Sequence, residues 1–322
     1  LTGNSAAAGS DGGSMILGST GNLTLKDLRT ADGSSPTFTL QSGDTDIAVD
    51  DILGTINFQA PDEGTGTDAI LVAAGISAVS EGDFSSSSNA TSLKFITGNS
   101  AAAGNDGGSL ILGSTGNLTL KDLRTADGSS PTITMQSGDT DIAADDVLGT
   151  INFQAPDEGT GTDSILVAST IKAFSEGDFS SSNNATTLEL AVGRSAAAGS
   201  DGGRLQLTST GNLILKNQNT ADDSFPTMTL QTGDTDIADG DVLGRIEFQA
   251  PDEGAGTDAI LVAAAIQATG EDDFSSSKNE TSIEFLTATS AIARKVAEIT
   301  SAGVFNTFLD ATAPTTATPL ST

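Results

Sequence analysis

The chain repeats itself every 95 residues, and that period limits the fold before any motif is considered. SAAAG at 5–9 returns at 100–104 and at 195–199. Residues 18–37 and 113–132 are identical, GSTGNLTLKDLRTADGSSPT. Units copied in tandem share one local fold and bury surface against their neighbours. A fourth copy begins at Ser290 and degenerates: Ser301-Ala302-Gly303-Val304 stands in place of Ser-Thr-Gly-Asn, three residues early, and the Asp-Gly-Gly is missing. The expected organisation is one repeat over 1–95, a second over 96–190 and a third over 191–285. A degenerate partial repeat over 286–309 and a linker-like tail over 310–322, rich in Thr, Ala and Pro, follow. Leu1 falls inside a repeat, so the natural chain is expected to extend N-terminally.

Within a unit the pattern is β. Ser14-Met15-Ile16-Leu17 and Asn22-Leu23-Thr24-Leu25 flank a connection with Gly18 and Gly21 at its ends, a hairpin signal. Residues 36–41, PTFTLQ, alternate apolar and polar side chains, as do 54–60, GTINFQA, before Pro61 ends the run. Residues 69–79 are apolar on both faces, and β-branched Ile70, Val72 and Ile76 with Gly75 favour a strand buried on two sides over a helix. TSLKFI at 91–96 closes the unit. Asp-, Gly- and Ser-rich loops over 43–51, 62–68 and 80–89 connect these strands. Six short strands with so few Phe and so much Ala give each unit a thin core. Stacking units end to end, or wrapping identical chains about one axis, would supply the missing burial. The fold expected is all-β: an elongated rod of tandem repeats, intertwined or stacked as a parallel homotrimer.

Composition removes much chemistry. The 322 residues include no His, Cys, Trp or Tyr, and 13 Lys+Arg stand against 43 Asp+Glu for a net charge of −30. No catalytic triad through His, thiolate nucleophile, structural zinc site or disulfide framework can be built. Few aromatic rings leave little to stack on sugars or bases. The charge repels phosphate backbones and anionic lipid, so neither nucleic acid nor membrane insertion is expected. The apolar run at 69–76 is far shorter than the roughly 20 residues of a spanning helix. Acidic pairs recur at one place in every repeat, and no unique pair suggests a glycosidase site. The expectation is a protein that is not an enzyme and carries no cofactor beyond a candidate Ca²⁺.

The densest polar motif is GDTDIAVDD at 43–51, with counterparts at 138–146 and 233–241. Asp44, Asp46, Asp50 and Asp51 in the first copy, Asp139, Asp141, Asp145 and Asp146 in the second, and Asp234, Asp236 and Asp241 in the third are candidate Ca²⁺ ligands. A hard divalent cation takes six to eight oxygens, which such a cluster could begin to supply. The spacing is not that of an EF-hand. Solvated acidic turns are the alternative reading, since Asp is a good turn residue. A second acidic stretch, PDEG at 61–64 through Asp68, could add ligands. GTGTD at 64–68 has neither the Lys nor the third Gly of a phosphate loop. Lys26, Arg29, Lys121, Arg124 and Lys216 fall at repeated places beside acidic loops, as neutralising partners.

One order of motifs recurs. Gly54-x-Ile56-x-Phe58 leads to the apolar strand at 70–79, then Leu93-x-Phe95-x-Thr97, with Leu17-x-Ser19-x-Gly21-x-Leu23 ahead of them. It returns at Gly149-x-Ile151-x-Phe153 and Gly244-x-Ile246-x-Phe248, at 112–118 and 207–213, and at Ile283-x-Phe285-x-Thr287 and 299–304. Over residues 1–309 this resembles the shaft repeats of bacteriophage tail fibres, of the marine and cyanobacterial phage type. Leu188-x-Leu190-x-Val192 departs from the Leu-x-Phe-x-Thr form. The family's further Gly-Ile-Gly turn and its self-cleaving intramolecular chaperone domain do not occur in these residues. The resemblance implies a trimeric fibre in the virion, extracellular, joined to other virion tail or baseplate proteins. Host cell-surface receptor would be met through other parts of the fibre.

Two functions follow as expectations: a structural shaft that holds a host-recognition tip away from the virion, or an adhesin-like module whose acidic loops contact receptor or Ca²⁺. Near-identity of the first two repeats favours the shaft. Residues 1–95 hold ten Asp and two Glu against Lys26, Arg29 and Lys94, a net −9. Self-association gathers such charges, and salt shortens their reach from about 8 Å at 0.15 M to about 3 Å at 1 M. Melting temperature is therefore expected to rise with NaCl. Equal melting in CaCl₂ at matched ionic strength leaves only screening, and an extra rise with CaCl₂ indicates a bound cation.

Overall fold

In a computed structural model the chain is described over residues 13–18, 21–59, 72–99, 107–155, 167–193, 202–251, 261–288 and 292–308. Alternating apolar and polar residues between Gly- and Asp-rich turns give strands throughout, and no helix occurs among the described residues. β1 (Gly13–Leu17) and β2 (Leu23–Asp27) form an antiparallel pair with Leu17 opposite Leu23. β3 (Ile52–Gln59), β4 (Val72–Ser80), β5 (Thr91–Thr97), β6 (Gly108–Leu112) and β7 (Leu118–Asp122) form a five-stranded antiparallel meander in chain order. The same meander returns 95 residues on as β8 (Val147–Gln154), β9 (Val167–Ser175), β10 (Thr186–Val192), β11 (Gly203–Leu207) and β12 (Leu213–Asn217). It returns again as β13 (Val242–Gln249), β14 (Val262–Gly270), β15 (Thr281–Thr287), β16 (Arg294–Ile299) and β17 (Phe305–Thr307). Two compact units divide the chain, 1–134 with β1–β7 and 135–322 with β8–β17.

Each sheet is finished by the hairpin of the following repeat. A frame of 1–95, 96–190 and 191–285 therefore sets its boundaries inside β5, β10 and β15, and the folded block is the same period in a shifted frame. The degenerate fourth copy supplies β16 and β17, which close the third sheet. The tail at 310–322, the stretch at 61–68 and the first SAAAG lie outside the described residues.

Two expectations fail. PTFTLQ at 36–41 is not a strand, nor are its copies at 131–136 and 226–231: no strand among the described residues pairs with them. Leu40 instead sits over Gly54, where an added Cβ would lie 2.6 Å from the Leu40 Cβ. Met135 on Gly149 and Leu230 on Gly244 repeat the contact at 2.9 and 2.7 Å. The glycine of Gly-x-Ile-x-Phe is thus a seat for a side chain. Nor is β4 buried on both faces: Gly75 and Ser77 are buried, while Ile76 on the other face is half-buried.

Cross-strand registers align the apolar residues in one row. In the first five-stranded sheet it runs Ile56, Ile76, Phe95, Leu110, Leu120. In the second it runs Ile151, Ile171, Leu190, Leu205, Leu215. The third reads Ile246, Ile266, Phe285, Ala297, Thr307. The chain itself hardly covers these rows. Leu286 is the sole large apolar side chain buried among the described residues, with Ala191, Ala265 and Ala293. The largest fully buried side chains are Glu189, Ser80 and Ser175.

Turn positions with positive φ are shared between Gly and Asp. Gly33 and Gly128 (φ 79° and 81°) become Asp223 (φ 63°) in the third repeat. Asp50 and Asp145 (φ 69° and 71°) become Gly240 (φ 88°). These are the residues that enter the left-handed region at least cost. Asp145→Gly is therefore expected to change unfolding stability little, whereas β-branched Asp145→Val costs about 1–2 kcal/mol. Chemical denaturation of the two variants reads the difference.

Candidate functional site

The acidic motif at 43–51 folds as a turn that closes on itself. Asp44 Oδ1 accepts from the Asp46 amide at 2.9 Å, and the Asp44 amide donates to Ser42 Oγ at 3.1 Å. Asp51 Oδ2 accepts from the Ala48 amide at 2.7 Å. Buried Ser80, at the end of β4, pins the turn to the sheet. Its Oγ accepts from the Asp51 amide at 3.0 Å and donates to the Ala48 carbonyl. Its backbone exchanges bonds with Asp50 and Asp51 at 3.0 and 2.9 Å. Asp139, Asp141, Asp145, Asp146 and Ser175 repeat the arrangement. In the third copy Asp234, Asp236 and Asp241 make the same caps, and Gly270 replaces the serine, keeping the backbone bonds alone.

The candidate ligands are thus brought into one turn per repeat, where two of the carboxylates cap backbone amides. Among the described residues no three carboxylates gather so as to hold a metal ion. Of the basic residues read as neutralising partners, Arg29 pairs with Asp27 and Arg124 with Asp122, both at 2.7 Å. Each arginine holds its aspartate's carboxyl below the usual range by side-chain hydrogen bonding first.

A clamp between repeats escaped the sequence reading. Glu81, just after β4, receives both the amide (3.0 Å) and the hydroxyl of Ser114 in the β6–β7 turn. Glu176 takes the same bonds from Ser209 at 2.8 and 2.5 Å. Glu271 takes them from Ser301, its amide at 3.0 Å. The three-residue shortening of the fourth copy shows here as a separation of 30 instead of 33 residues. The pairing is visible only once the meander brings the turn over the end of β4. Recurrence of Glu and Ser at fixed places was its sequence signal.

The two faces of each sheet differ in what the repeats preserve. The central apolar row keeps its first four positions apolar in all three sheets, although it faces outward in the single chain. The neighbouring row on the opposite face changes freely. Thr55, Ser77 and Lys94 become Thr150, Lys172 and Glu189, then Arg245, Gln267 and Glu284. Glu189 is fully buried between Lys172 (3.1 Å) and Arg204 (3.2 Å), with Gln206 donating at 2.7 Å. A surface in contact with water alone would have no reason to hold its large apolar residues while the covered face drifts. The apolar face is the candidate functional surface.

No protein-family model and no curated protein matches the sequence. Among solved structures, the carboxy-terminal domain of the bacteriophage T5 L-shaped tail fibre is similar over 59% of this chain and 90% of its own, at 14% identity and a TM-score of 0.24. The same domain with its intra-molecular chaperone domain is similar over 59% of this chain and 62% of its own, with equal identity and score. A likeness at that level carries no argument about this chain.

Hydrogen bonds from Ser114 and Ser209 hold the carboxyls of Glu81 and Glu176 below the ordinary glutamate value. A depressed folded pKa gives stability that is present above the unfolded value and is lost as pH falls through the folded one. Comparing wild type with Glu176→Gln separates this from the general relief of charge repulsion in acid. The variant is expected to melt lower at neutral pH, with the gap closing as pH falls below about 4.3, the unperturbed glutamate value. A gap independent of pH would remove the ionised clamp from the account.

Proposed function

We propose that the chain is a segment of a bacteriophage tail-fibre shaft, of the marine and cyanobacterial phage type that its repeats resemble. It assembles with identical copies as a parallel homotrimer and forms an elongated, extracellular part of the virion. Its role is structural: it spaces a host-recognition tip from the particle and performs no chemistry. Other virion tail or baseplate proteins join it, and other parts of the fibre meet the host cell-surface receptor.

The observation that carries this reading is the uncovered apolar row of every sheet. Full burial of a side chain such as Leu, Ile or Phe is worth about 1.5–3 kcal/mol. Rows of five large apolar side chains in the first two five-stranded sheets, only partly covered, leave roughly 5 kcal/mol per sheet unrealised on that scale, and the three in the third leave less. This is comparable with the about 5–15 kcal/mol net stability of a whole domain. Identical chains in parallel set each row against its own copy at the same level and keep the 95-residue period along the axis. Near-identical repeats suit a spacer, since a receptor site would make one of them distinctive.

Sedimentation is expected to give three times 32.1 kDa, and a stable folded monomer of 32.1 kDa at micromolar concentration would overturn the assembly. Electron microscopy of particles labelled on this segment is expected to place it along a fibre, away from the tip. Label at the fibre tip would favour the adhesin-like alternative.

A further inference from the structure

One stretch of each repeat has no place in the sheets. Residues 36–41, 131–136 and 226–231 read PTFTLQ, PTITMQ and PTMTLQ, an alternation of Thr with apolar residues that suits a strand. Yet no backbone amide or carbonyl in them bonds to another backbone group among the described residues. One apolar residue of each is anchored on its own chain, Leu40, Met135 or Leu230 over the glycine of the first strand, and stays Leu or Met throughout. The other is exposed and changes shape from repeat to repeat: Phe38 at 61%, Ile133 at 76% and Met228 at 62%.

Charge indicates what meets them. The ten residues at 34–43, 129–138 and 224–233 carry no charge, although the chain as a whole is −30. A second copy brings the same −30, so contact between copies is least opposed at such windows. The long edge strands β3 and β8 are also uncharged, and Arg245 and Glu247 of β13 neutralise one another at 2.8 Å. Among the described residues each of these strands pairs with one strand only, β4, β9 or β14, so its outer edge has no neighbouring strand. The open segments and the open edges recur with the same 95-residue spacing. Each segment therefore has its counterpart edge in the same repeat of a parallel copy.

We infer that in the assembled protein each segment is a sixth strand, added to the outer edge of β3, β8 or β13 of a neighbouring copy. Main-chain hydrogen bonds hold it, and Phe38, Ile133 or Met228 enters the neighbour's apolar face. The inference rests on the self-assembly proposed above and adds to it which segment exchanges.

Hydrogen exchange on the intact chain, alongside sedimentation, tests it. In the trimer, amides of 36–41, 131–136 and 226–231 and the outward amides of β3, β8 and β13 are expected to exchange on the order of 100-fold more slowly than the exposed amide of Ser86 at the tip of a turn. The triple variant Phe38→Asp, Ile133→Asp, Met228→Asp is expected to lose that protection and dissociate. A trimer whose β4, β9 and β14 amides are protected while the segments exchange freely overturns the strand exchange and leaves the assembly standing. So does a triple variant that stays trimeric with unchanged melting. Protected segments beside unprotected outer edges overturn the assigned acceptor. A wild-type monomer overturns both the exchange and the assembly on which it rests.

Discussion

Everything in this chain hangs on apolar rows that its own fold cannot cover. A meander of five short strands has two faces, and independent stability requires a hydrophobic face packed on something. Here the face with Ile56, Phe95 and Leu120 stays open, while the largest fully buried side chains are a glutamate and two serines. Hydrogen bonds along the sheet set the register, but their net worth is about 1 kcal/mol each and they do not replace a core. The single chain therefore leaves an apolar face on each five-stranded sheet, and the proposed self-association rests on that face.

The drift between repeats supports the same reading from another direction. Duplicated sequence diverges where structure permits. The row with Lys94, Glu189 and Glu284 has changed sign, partners and size, ending in the second sheet as a buried glutamate between two cations. Such a cluster is costly to break but of uncertain net benefit, so one repeat can hold it and another do without. The apolar row keeps its first four positions apolar in every five-stranded sheet, and the glycine that seats Leu40, Met135 or Leu230 is present in all three copies.

Much of the strand content was legible in the sequence. Period-two alternation located β3, β5 and the β1–β2 hairpin within a residue or two, and the repeat multiplied each success by three. The same signal misplaced 36–41, because alternation reports that a segment suits a sheet and not which chain supplies the sheet. Spacing placed the four aspartates of each acidic motif in one turn, but it could not show that Asp44 and Asp51 turn back onto their own backbone. The Glu81–Ser114 clamp was missed for a related reason. Its partners lie 33 residues apart and meet only through the meander.

The fourth copy shows which of these features the array requires. It has lost the Asp-Gly-Gly and three residues of spacing. It retains two strands, the left-handed Gly303 and the serine that Glu271 holds. Those are the parts the third sheet takes from its successor: β16 extends the edge of β15, β17 covers β16, and Ser301 fixes the turn over the end of β14. What the degenerate copy keeps is what the sheet it completes uses. A sheet built across a repeat boundary couples neighbours by backbone hydrogen bonds as well as side chains. In such an array the unit of stability is the junction between two repeats, not the repeat.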